Sequence, residues 1–334
     1  MTKPCIRFAA AALLILTSCI TAPKQDDQPT KTSNLLPIYP NVSLEIVEWG
    51  GSGTPMVFLA GLGHTAHVFD SLAPQFTDQF RVLGITRRGF GASSQRATGF
   101  TLDTLVSDLA VVLDSLDLDQ VILVGHSLGG DEISRFAALH PDRLTAVIYL
   151  DGAYDRTTTS DTLANYPLPE INWPEPTTKE LESAEGYRRY YERSNGVLMP
   201  LKEIEEIYNW NDDGSYAGGK TPGSTYRKIR TSLRDQVYEG IETPALAIYG
   251  VNYPVEELFL DYSEADSADQ VLMMAYYEAG RRAAARSRER FRDEMKNGQV
   301  VEIEGAGHSL YITHIQQVEV AMRGFLKAFD RPGS

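Results

Sequence analysis

One stretch, Val121-Ile122-Leu123-Val124-Gly125-His126-Ser127-Leu128-Gly129-Gly130, constrains what this chain can fold into more than any other. Four apolar, mostly β-branched residues predict a buried strand. Apolar residues at helical spacing follow (Ile133, Phe136, Ala137, Leu139). Between them lies Gly125-x-Ser127-x-Gly129. A strand that passes into a helix through so short a turn strains the backbone at the central serine and pushes its hydroxyl out above the sheet. Gly125 and Gly129 are expected where a Cβ would strike the neighbouring strand or helix.

The pattern elsewhere extends this reading. Short apolar runs at 42–49, 55–60, 81–86, 120–125, 145–150, 244–249 and 300–303 predict strands, and helical patterns lie at 102–116, 131–140, 268–297 and 310–329. Strands alternating with helices imply an α/β fold with a mostly parallel sheet covered on both faces. In such sheets a site forms at the carboxyl ends of the strands. The hydrophobic fraction of 43% supplies a core for one large domain, and the formal net charge of −14 argues against nucleic acid as a partner.

The N-terminus reads as an address. Lys3 and Arg7 precede an apolar run at 8–16, which is too short to span a bilayer. It closes on Leu16-Thr17-Ser18-Cys19, which resembles a bacterial lipobox and implies lipidation of Cys19. The expectation is a signal peptide over 1–18, a solvated tether over 19–40, and a lipid-anchored protein of the bacterial cell envelope, on the outer membrane or its periplasmic face if the cell is Gram-negative. Cys5 and Cys19 are the chain's two cysteines, so the mature domain has none for a disulfide or a thiolate metal site.

Four motifs in order resemble the α/β-hydrolase fold superfamily. Leu59-Ala60-Gly61-Leu62-Gly63 takes the oxyanion-loop position, Arg88-Gly89-Phe90-Gly91-Ala92-Ser93 the family's R-G-x-G-x-S turn, Gly125 to Gly130 the nucleophile elbow, and Gly305-Ala306-Gly307-His308 the late G-x-G-H. Ala60 and Arg87 depart from the family pattern, at positions expected to be structural. The resemblance implies core segments at 41–155 and 241–330 around a helical lid at 156–240, whose many aromatics suggest a small apolar or aryl ester substrate.

It also implies a serine hydrolase without a cofactor or metal. Ser127 is the expected nucleophile and His308 the base, in the chain order serine, acid, histidine. The backbone N–H groups of Leu62 and Leu128 are the expected oxyanion hole. The acid stays open: Asp151 is the first choice, because it follows the 145–150 strand directly, with Glu256 or Glu257, then Asp155 or Asp261, as alternatives. His64 and His67 follow the oxyanion loop and are weighed as substrate contacts; His126, His140 and His314 read as packing or capping residues. Dehalogenases and epoxide hydrolases of this fold use an aspartate where Ser127 stands. A peptidase of the proline iminopeptidase type, a perhydrolase, and a non-catalytic surface binding protein are the competing readings.

Overall fold

The computed structural model describes residues 31–95, 99–167 and 173–328. The expected signal peptide and Cys19 lie outside the described residues, as does most of the expected tether.

In chain order the elements are β1 (Thr32–Tyr39), β2 (Val42–Gly50), β3 (Pro55–Leu59), β4 (Arg81–Thr86), α1 (Leu102–Ser115), β5 (Val121–His126), α2 (Leu128–Leu139) and β6 (Leu144–Leu150). Then come α3 (Arg156–Leu163), α4 (Thr178–Leu181), α5 (Ala184–Asn195), α6 (Leu201–Ile207), β7 (Tyr208–Trp210), β8 (Tyr216–Gly219) and α7 (Gly223–Ser232). The chain closes with β9 (Ala245–Val251), α8 (Ser267–Glu294), β10 (Gly298–Glu304), α9 (Leu310–Thr313) and α10 (Ile315–Leu326).

Eight strands form one sheet in the order β1-β2-β4-β3-β5-β6-β9-β10. The pairs β1/β2 and β2/β4 are antiparallel and the rest parallel. Alternation along the central strands explains the two-sided core. Met56, Phe58, Ile122 and Val124 point to one face, where Val318, Met322 and Phe325 of α10 cover them. Val57, Leu59, Val121 and Leu123 point to the other, against Leu109 of α1, Phe136 of α2 and Phe291 of α8. Each such side chain contributes about 1.5–3 kcal/mol on burial. Continuous apolar runs on the central strands are what a doubly covered sheet demands.

One boundary differs from expectation. Residues 32–39, assigned to the tether by composition, form β1 and pair with β2 from Thr32↔Glu48 onward. Ile38 is buried, and Ser33 Oγ donates to Glu45 at 2.7 Å. Pro37 is compatible with an edge strand, where a missing N–H faces away from the ladder. The core therefore begins near residue 31, not 41. The segment between β6 and β9 carries α3 to α7 and a small β7/β8 hairpin, and the strand-helix alternation of the core is lost there.

Candidate active site

At the elbow, Ser127 has φ 48° and ψ −113°, a region costly for a residue with a Cβ. Such a position costs about 1–3 kcal/mol and persists only when its surroundings hold it. They do: Ser127 N donates to Leu150 O at 3.3 Å, and Gly130 N donates to Ser127 O at 2.8 Å. A Cβ on Gly125 would lie 2.4 Å from the Gly129 carbonyl carbon, and one on Gly129 would lie 2.3 Å from Leu59 O. Both glycines are therefore required by contact. Leu128 N–H belongs to the first turn of α2, which has no intrahelical acceptor.

Asp151 follows β6 directly and His308 lies four residues beyond β10, so both stand at the carboxyl edge with Ser127. Asp151 Oδ2 lies 2.7 Å from His308 Nδ1. Its other oxygen accepts from Tyr154 Oη at 2.6 Å and from Gly250 N at 3.1 Å. The carboxylate is thus buried and fully engaged, which fixes the imidazole with Nδ1–H toward the acid and leaves Nε2 as a base. Among the described residues Asp151 is the carboxylate that pairs with His308. Asp155 is held by Arg290 and Ser287 instead. Glu257 stands close: a Cβ on Gly307 would lie 1.6 Å from its Oε2. Burial first, then the charge of Asp151, pushes the Glu257 carboxyl above its ordinary range.

His126 ties the two loops together. Its Nε2 lies 3.0 Å from the backbone oxygen of His308, which can only accept, so this nitrogen carries the proton. Its ring packs 4.6 Å from the His308 ring and 4.4 Å from Tyr311. Burial, then the neighbouring imidazoles of His308 and His64, drives its pKa well below the usual value, so the ring stays neutral.

The loop after β3, the expected oxyanion loop, passes against the serine. A Cβ on Gly61 would come within 2.8 Å of His126 Nδ1 and 3.3 Å of Ser127 Cβ. Two buried ionic groups clamp this loop, and no local motif announced them. Arg87 donates to Ala60 O at 2.5 Å and Gly61 O at 2.8 Å, while Glu132 of α2 pairs with it at 2.7 Å. Arg87 is thus structural as expected, and what it holds is the loop that carries Leu62. Above the loop, Glu203 of α6 is fully buried; it accepts from Thr65 N at 3.0 Å and from the Thr65 hydroxyl, and lies 3.0 Å from His64 Nδ1.

The remaining histidines are accounted for. His67 Nε2 pairs with Glu45 at 3.0 Å, His140 packs on Phe136, and His314 contacts Thr313. Glu45, His67 and Glu206 bring ligand-type atoms within 4.8 Å of one another. Their atoms are already spent: Glu206 on Lys202 and Lys220, His67 on Glu45 and Lys31. Leu62 and Leu128 share one apolar cluster with Phe90, Ile229 and Tyr226, so α7 packs on both. The aromatics between β6 and β9 largely bury one another: Tyr187 stacks on Tyr216 at 4.1 Å, with Tyr208 and Trp210 around them.

Comparison with known proteins agrees with this architecture. A model of the alpha/beta hydrolase fold matches residues 54–189. The chain is 34% identical over 101 residues to a 2-(acetamidomethylene)succinate hydrolase of Mesorhizobium japonicum, covering 30% of this chain and 36% of that one. It is 28% identical over 196 residues to a non-heme haloperoxidase of Rhodococcus erythropolis, covering 58% and 67% of the two chains. The chain thus spans little more than a third of the length of the first relative. The solved structure of an E-2-(acetamidomethylene)succinate hydrolase superimposes with a TM-score of 0.64 at 22% identity, over 89% of this chain and 100% of that one. With sheet order, serine elbow and these likenesses in agreement, the chain has the α/β-hydrolase fold.

Proposed function

We propose that this chain is a serine hydrolase that cleaves a carboxylic ester, with thioesters and amides as related substrates, through an acyl-enzyme on Ser127. The observation that carries the proposal is the 2.7 Å contact from His308 Nδ1 to Asp151, made by a loop packed against the residue before the elbow serine. His308 Nε2 takes the Ser127 proton as Oγ attacks the carbonyl carbon. The N–H groups of Leu62 and Leu128 hold the oxyanion. The imidazolium, stabilised by Asp151, gives its proton to the leaving oxygen as the C–O bond breaks. Water then attacks the acyl-enzyme and loses a proton to His308, which returns it to Ser127 Oγ as the acyl C–O bond breaks and the carboxylic acid departs. In the same proposal Cys19 carries the lipid that tethers the enzyme to the membrane.

The haloperoxidase relative favours one further reading. Hydrogen peroxide in place of water would attack the same acyl-enzyme and release a peracid. Peracid formation from acetate and peroxide, lost in Ser127→Ala, tests it; no peracid above the buffer background would exclude it.

A fluorophosphonate probe tests the hydrolase. The wild type is expected to be labelled and Ser127→Ala not; absence of labelling at any pH from about 6 to about 9 would contradict the proposal. Cys19→Ser is expected to leave the membrane fraction, and its persistence there would contradict the anchor.

A further inference from the structure

α8 is longer than the sheet needs. Its 28 residues span about 42 Å, whereas the seven-residue strands β9 and β10 span roughly 23 Å. The helix meets β10 through a tight turn, with Gly298 N donating to Met295 O at 2.9 Å. The excess therefore lies at its N-terminal end, beyond the carboxyl edge of the sheet where Asp151 and His308 stand. This overhang faces α3 and encloses a cleft of about 800 Å³ that reaches the Asp151–His308 pair. A cleft of that size accommodates a small molecule. Gly280, Ala284 and Ala285 keep the helix wall open, and Leu163, Tyr154 and Tyr276 make the lining apolar and aromatic.

Most charges around the cleft already have partners. Arg156 is held by Asp131 at 2.7 Å, Arg281 by Glu278 at 3.0 Å, Arg288 by Glu302 at 3.2 Å, and Asp155 by Arg290. Arg282 and Arg286 are different. They lie one turn apart on α8, both exposed, and reach hydroxyls of the α3 segment: Tyr166 Oη at 3.5 Å and Thr162 Oγ1 at 3.3 Å. Among the described residues neither pairs with a carboxylate. In a chain of net charge −14, two guanidiniums one turn apart and without acidic partners among the described residues, Arg282 itself in the cleft wall, offer an anion site. Asp151 and Glu257 line the cleft with His308 and disfavour an anion there.

We propose that the cleft between α3 and the overhanging half of α8 binds an anionic group, a carboxylate or phosphate, through Arg282 of its wall, with Arg286 one helical turn further along α8 as the second cation. Resting on the hydrolase reading above, it follows that the preferred esters carry a negative charge on the part of the molecule distant from the scissile bond. The neutral ester linkage lies toward His308 and the anion toward the two arginines. Apolar walls between them suit a short acyl or aryl spacer.

Two measurements on the full chain test this. Glutarate and inorganic phosphate are titrated calorimetrically into the wild type, Arg282→Gln/Arg286→Gln and Arg282→Lys/Arg286→Lys. Separately, kcat/KM is compared between a p-nitrophenyl glutarate hemiester and the neutral p-nitrophenyl butyrate. The wild type is expected to bind at least one anion, with affinity falling tenfold or more in the Gln pair and partly retained in the Lys pair. The hemiester-to-butyrate ratio is expected to fall by a similar factor. Binding of glutarate but not phosphate assigns a carboxylate, the reverse a phosphate. Binding unchanged in the Gln pair, or no binding together with an unchanged ratio, overturns the site. If neither ester is turned over while anion binding still depends on the arginines, the hydrolase reading fails and the site stands.

Discussion

Removing Arg87 should damage stability and catalysis by separable amounts. The guanidinium is 6% exposed and Glu132 is 3% exposed, and they form a bidentate buried pair at 3.1 and 2.7 Å. Arg87→Met leaves the Glu132 carboxylate buried without its cation, and breaking such a pair costs about 3–5 kcal/mol. For a domain of roughly 300 residues that is a fall in Tm of roughly 5–8 °C. Arg87→Met/Glu132→Leu removes both charges, so most of that loss should return, because an apolar pair of similar volume is often neutral. Activity should not return with it. The carbonyls of Ala60 and Gly61 lose their donors in both variants, and the loop that presents Leu62 N–H is no longer held. A misplaced oxyanion donor costs about 10²–10³ in kcat. Thermal unfolding by circular dichroism and initial rates on a p-nitrophenyl ester measure the two effects. A double variant that recovers full kcat would show that Arg87 does not hold the loop, and an Arg87→Met protein with unchanged Tm that it does not neutralise Glu132.

Three further outcomes are expected. Asp151→Asn should lower kcat by about 10⁴, because the imidazole loses its tautomer partner, whereas Glu257→Gln should change it only a few-fold; equal losses on the same ester would reopen the choice of acid. Stability should fall in acid in two stages. His126 is kept neutral when folded but takes a proton when unfolded, so its contribution is present above about pH 6.5 and lost as pH falls below it. Burial alone would raise the Glu45 carboxyl, but its bonds to His67, Ser33 and Thr86 outweigh that and hold it down at about 2, so its contribution is lost between about pH 4.5 and 2. Urea midpoints against pH check this: a His126→Asn protein should lose less stability than wild type between about pH 7 and 5, and equal losses would contradict the assignment.

Much of this was legible because it is local. The elbow carries its own strand, glycines and helix within ten residues, and His308 follows a strand and a glycine turn. What stayed open depends on distant partners. Asp151 meets His308 across 157 residues of chain, and nothing near Asp151 separates it from Glu257 until the sheet brings them to one edge. Arg87 reads as a departure from a motif; its role appears only when Ala60 and Glu132 surround it. Glu203 lies in the charged helix α6 and shows no sign in sequence that it is the carboxylate that is fully buried there. β1 was hidden by composition: threonine, serine, asparagine and proline suit a tether and equally suit an edge strand with one buried face.

Turnover through an acyl-enzyme requires Ser127 to become covalently acylated. Rapid acid quench of the wild type with excess p-nitrophenyl acetate, followed by peptide mass mapping, detects that adduct. The expected result is one acetyl group on the peptide carrying Ser127, formed with a burst of p-nitrophenol and missing in Ser127→Ala. Steady release of p-nitrophenol with an unmodified Ser127 peptide, or the same turnover in Ser127→Ala, would contradict the account.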